Sequence, residues 1–139
     1  MFKFRLEKVL RVHEIREEKS KHEWAFLESS AQKARAQLAQ LLQHKSEIIQ
    51  FGYGHADFKI RASMYSYLSA LERRIEAQNQ KIKLCEKRAA EAKKAWLEAR
   101  QEEKKITTLK EKHQAEYVKE KERRQQKVLD DMRSHLKSG

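Results

Sequence analysis

The stretch "QFGYGHADF", residues 50–58, holds Gly52 and Gly54; the only other glycine of the 139-residue chain is Gly139, and proline is absent. Glycine reaches positive φ without steric cost, so two of them in a breaker-free sequence mark one interruption, with Gly52 and Gly54 as its hinge. On either side the text is written in Ala, Glu, Lys, Leu, Arg and Gln, with 38% charged and 39% hydrophobic residues. That vocabulary belongs to long helices and coiled coils. With so few turn formers, a sheet protein or a Rossmann-type domain has almost nothing to build its turns from.

Outward from the glycines, apolar residues recur at alternating steps of four and three. From Leu6 the walk runs through Leu10, His13, Glu17, Ser20, Trp24, Leu27, Ala31, Ala34, Leu38, Leu41 and Lys45 to Ile48, with nine of thirteen positions apolar. From Met64 it runs through Leu68, Leu71, Ile75, Gln78, Ile82, Cys85, Ala89, Ala92, Trp96, Ala99 and Glu103 to Ile106, with eleven of thirteen apolar. A seam that keeps this spacing for six heptads predicts a left-handed coiled coil. Residues 49–63 are too few to pass back along an arm, so the expected fold is all-α: two long helices in an antiparallel hairpin. The chain reads as one domain, with arm one over about 3–50, the reversal over about 51–62 and arm two over about 63–135. Each paired arm is then about 65 Å long at 1.5 Å per residue.

A reversal centred near residue 56 sets Leu41 opposite Leu71, Leu38 opposite Ile75 and Leu6 opposite Ile106. It also sets Trp24 against the small Ala89 and Ala92, and Trp96 against Ser20 and Glu17, a large-to-small match that fills seam layers. Past Ile106 the seam loses coherence. The segment from residue 111 onward, with sparse apolar residues at Tyr117, Val118, Val128, Leu129, Met132 and Leu136, is expected to overhang without a partner in the chain.

No catalytic apparatus is apparent. Neither GxxxxGK[ST] nor GxGxxG occurs, so no glycine-rich loop can bring backbone amides to a phosphate, and no small-molecule substrate or cofactor is expected. The histidines His13, His22, His44, His55, His113 and His135 never fall at i, i+4, and Cys85 has no second thiol, so no metal site is expected. Cys85 reads as a small hydrophobe on the seam. No intrachain disulfide can form, and a reducing compartment is the default. The opening "MFKFRLEKVL" is interrupted by Lys3, Arg5, Glu7 and Lys8 and does not read as a signal peptide. The longest purely apolar run is Trp24 to Leu27, so a soluble cytoplasmic protein is expected.

The net charge is +11, spread as +3, +5 and +3 over residues 1–50, 51–106 and 107–139. Acids interleave at helical spacing, as in Glu7 with Arg11, Glu17 with Lys21 and Glu120 with Arg124. A solvated coiled-coil face therefore fits better than a nucleic-acid footprint, which concentrates its charge. A basic helical hairpin on nucleic acid, or a homo-oligomeric coiled coil, stands as the alternative. More informative are apolar residues the seams leave unused: Phe2, Phe4, Val9 and Val12 near the amino terminus, and Leu42, Ile49, Phe51, Tyr53, Phe58, Ile60, Tyr65 and Tyr67 near the reversal. Such surplus marks protein contacts.

The opening "FKFRLEKVLRVHEIREEKSKHEWA" resembles the start of the FliJ family, cytoplasmic components of the flagellar type III export apparatus. Phe2, Phe4, Leu6, Val9 and Leu10 carry the resemblance, together with the chain length, the mid-chain reversal and the long second helix. It implies a coiled coil similar to the central stalk subunit of rotary ATPases and a non-enzymatic role in coupling and chaperone escort. The implied partners are the hexameric export ATPase, the membrane export-gate protein FlhA and free export chaperones. The implied location is the cytoplasmic face of the membrane at the flagellar base. Carried over by seam and turn, the ATPase-binding residues would be Phe4, Leu6, Leu10 and Arg11, with the overhanging helix beside them. The gate-binding residues would be Gln37, Leu41, His44, Ile48, Tyr67 and Leu71. His44 and Ile48 depart from the aromatic residues expected there.

Overall fold

The computed structural model describes residues 1–54 and 57–138. It consists of two helices, α1 (Glu7–Tyr53) and α2 (Phe58–Ser138), forming a hairpin with α2 the longer, and no strand occurs among the described residues. Each helix outruns the expected arm at the reversal, because local chemistry sets the ends. Asp57 caps α2: its carboxylate accepts the Lys59 N–H at 2.9 Å and its carbonyl accepts the Arg61 N–H at 3.1 Å, so α2 starts five residues before the expected point. At the far end, His135 and Lys137 lie in the last turn, where cations offset the helix dipole.

The glycines do not use the left-handed backbone on which the hinge expectation rests. Neither adopts positive φ. Gly52 lies inside the last turn of α1, and Gly54 follows it, donating its N–H to the Phe51 carbonyl at 3.2 Å. What Gly52 supplies is room. A methyl group on it would overlap the Met64 Cε and come within 3.2 Å of the Met64 Sδ, so the thioether of α2 rests on bare α1 backbone. The side chain of Tyr53 and all of His55 lie outside the described residues.

Contacts divide the chain into two units, Lys19–Trp96 and Met1–Glu18 with Leu97–Gly139. In the first, α1 and α2 run antiparallel, since the partners of rising α1 positions descend along α2. Trp24 meets Trp96, Arg35 bonds Glu86 at 3.0 Å, and Lys45 pairs with Glu72 at 3.5 Å. Every seam position of this unit, from Ser20 to Ile48 and from Met64 to Trp96, is buried or half-buried. Ala31, Ala34, Leu71 and Ala89 form the fully covered part, alanines allowing the closest approach of the helices. Cys85 lies half-buried on the seam, as its spacing predicts. The seam polar group is also satisfied: the Gln78 amide donates to the Ala34 carbonyl at 2.8 Å and to Gln37 Oε1 at 3.2 Å.

The tryptophans correct the expected pairing. Instead of each facing small residues, Trp24 and Trp96 stack on one another, with ring centroids 5.1 Å apart and planes 14° from parallel. Long helical side chains lean toward the amino end of their own helix. In an antiparallel pair those leans are opposed, so two tryptophans whose backbones are offset by about a heptad tilt together. Pairing by backbone register alone ignores that tilt. Lys93 adds its ammonium over the Trp24 ring at 5.8 Å from the centroid.

In the second unit the seam positions Leu6, Leu10, His13, Glu17, Ala99, Glu103 and Ile106 are again covered. Residues 1–4 precede the helix and run on over α2. Phe4 packs edge-on against His113 at 5.7 Å, Phe2 lies 5.6 Å from Tyr117, and the Met1 ammonium donates to the Tyr117 hydroxyl at 3.0 Å. The first part of the expected overhang therefore has a partner within the chain. The reason is geometric, because extended chain covers about 3.3 Å per residue against 1.5 Å in a helix. Four residues before Leu6 thus reach about nine helical residues beyond Ile106. Glu7, expected to pair along its own helix, reaches Lys110 at 2.9 Å instead, while Glu120 does pair with Arg124 at 3.6 Å.

Candidate docking surfaces

Near the reversal, α1 and α2 together line an apolar groove of about 560 Å³. Successive turns of one α1 face contribute His44, Ile48 and Phe51, and one α2 face contributes Lys59, Ile60, Ser63, Met64 and Tyr67. His44 Nε2 and the Tyr67 hydroxyl are hydrogen-bonded at 2.8 Å, with the rings edge to face at 5.7 Å, which fixes one end of the groove. Around it the apolar surplus is exposed, most fully at Phe58 (81%) and Tyr65 (72%), with Leu42, Ile49 and Phe51 beside them. No two-helix seam can cover residues on so many faces.

Of the expected gate-binding residues, His44, Ile48 and Tyr67 are brought together in this groove. Leu71 is buried in the seam at 1% exposure, Leu41 is half-buried and Gln37 is exposed beneath the Gln78 amide. Lys59 lies ahead of the expected start of arm two near residue 63, and Ser63 lies off the seam walk that starts at Met64, so neither was expected in a groove. The cap signal Asp57, two residues ahead of Lys59, extends the helical period back through Ile60, Met64 and Tyr67 on one face.

Of the expected ATPase-binding residues, Phe4 and Leu10 are buried against α2, Leu6 is half-buried and Arg11 is exposed. The apolar surface of this unit lies instead at Val9, Val12 and Ile15 of α1, and at Val128, Leu129, Met132 and Leu136 of α2. Val128, Asp131, Met132, His135 and Leu136 enclose a shallow hollow of about 380 Å³. Tyr117 is held below the ordinary phenol range, first by the hydrogen bond from the Met1 ammonium and then by its charge.

No cluster of three or more His, Cys, Asp or Glu suited to a metal occurs among the described residues. Among the described residues no helix is long and apolar enough to cross a membrane. What the geometry offers is contact surface at the reversal and in the unit that holds both termini. The fold and its surfaces thus define a class, the all-α coiled-coil hairpins with surplus apolar surface outside the seam. The family model described as "Flagellar FliJ protein" matches residues 2–138, and the chain belongs to that family, a component of the flagellar export apparatus. No curated protein and no solved structure matches the chain.

Proposed function

We propose that this chain is a non-enzymatic coupling stalk of the flagellar type III export apparatus, one that also escorts export chaperones. The unit holding the termini binds the hexameric export ATPase, and the region at the reversal binds the export gate, an FlhA-like membrane protein. The protein then works at the cytoplasmic face of the membrane at the flagellar base. The observation that carries this reading is the apolar groove lined by His44, Ile48 and Tyr67, three positions at which family resemblance puts gate contacts. On the ATPase side the reading has the exposed Arg11 touch the ring directly, with Phe4, Leu6 and Leu10 acting by holding the amino-terminal segment on α2.

The test is a pair of binding assays with the full chain, one against the cognate export ATPase and one against the cytoplasmic part of the gate. Arg11→Glu weakens only the first and Ile48→Glu only the second. A chain that neither binds nor stimulates the ATPase removes the coupling role.

A further inference from the structure

We propose that the groove beside the reversal receives a partner segment presenting one apolar side chain with a carboxylate next to it. This deepens the gate-docking reading above and rests on it for the partner's identity, though not for the partner's chemistry. Ile48, Phe51, Ile60 and Met64 give the groove its apolar walls. Its polar groups are the Lys59 ammonium, the Ser63 and Tyr67 hydroxyls and the His44 ring, and no carboxylate lines it.

The carboxylates nearest in sequence are already engaged. Glu47 accepts from the Gln43 amide at 3.3 Å and lies 4.0 Å from His44. Asp57 is occupied in capping α2, and Glu72 faces Lys45. Among the described residues no carboxylate reaches the Lys59 ammonium or the Arg61 guanidinium within 4 Å. A cation beside an apolar groove, left without an internal counter-charge, complements an acidic-apolar segment and repels a basic one. Gly52 keeps the groove open, because only a residue without Cβ lets Met64 lie back against α1.

The experiment uses the full chain and two helical peptides of about twelve residues that differ only in Glu or Lys beside a Leu anchor. Methyl NMR reads the site and fluorescence anisotropy the affinity. The Glu peptide shifts the Ile48, Ile60 and Met64 methyls and binds at least about fivefold tighter than the Lys peptide, and Lys59→Glu reverses that order. Gly52→Ala pushes the Met64 methyl into the groove, so it weakens peptide binding although it favours the helix. Equal binding of the two peptides, a preference for Lys, or shifts confined to other residues would overturn the proposal.

The cytoplasmic domain of the export gate is the second probe. If it binds the wild-type chain about tenfold tighter than Lys59→Glu, with Lys59→Arg near wild type, the groove chemistry extends to the gate. If it binds wild type and Lys59→Glu equally, the groove chemistry falls and gate docking stands. If the peptides behave as stated and the gate domain does not bind, gate docking falls and the groove chemistry stands.

Discussion

The Trp24–Trp96 stack yields a quantitative prediction. Removing a fully buried tryptophan side chain costs about 3–5 kcal/mol. Both rings here are half-buried, so each single alanine variant should cost roughly half of that, about 2 kcal/mol. Beyond area, a stacked aromatic pair contributes about 0.5–1.5 kcal/mol that exists only when both rings are present. The Trp24→Ala, Trp96→Ala double variant should therefore lose about 3 kcal/mol, roughly 1 kcal/mol less than the sum of the singles. Urea denaturation followed by helical circular dichroism at micromolar protein measures all four corners of the cycle. The small contribution of Lys93 over Trp24 survives Trp96→Ala, so it does not enter the coupling. A coupling below about 0.3 kcal/mol is what residues without contact give. That result would refute the opposed lean and restore the large-against-small pairing expected from backbone register.

Further outcomes follow from the same packing. Leu71→Ala, at a side chain with 1% exposure, should cost about 2–4 kcal/mol in the same denaturation assay, and a loss under about 1 kcal/mol would mean that the helices close over the gap. Phe4→Ala should release the amino-terminal segment, seen as faster amide exchange at residues 2–7 and a lost Phe2–Tyr117 contact; unchanged exchange would deny Phe4 its anchoring role. Acetylating the Met1 amine should return the Tyr117 titration, followed by absorbance against Tyr117→Phe, to the ordinary phenol range. An unaltered midpoint after acetylation would dismiss the contact.

The two apolar walks predict the covered positions of both units, polar ones included: His13, Glu17, Ser20, Lys45, Gln78 and Glu103 are all sheltered by the seam. Helical period depends only on backbone geometry, so spacing suffices to find a seam, whatever residue occupies each step. Surplus apolar residues near the reversal were legible for the same reason, as residues that no single seam can hold. The groove was not, because its α2 wall depends on where that helix begins, and the Asp57 cap decides that start.

Composition and period determined the helices, their antiparallel return and the absence of a nucleotide loop, since each follows from local backbone preference or from the lack of turn residues. Tertiary structure decided what the long side chains do. It tilted two tryptophans into one stack, gave Gly52 the task of seating Met64, and carried Phe2 and Phe4 over Tyr117 and His113. Those outcomes depend on side-chain direction and on the different rise of extended and helical chain, quantities that exist only once two elements lie side by side.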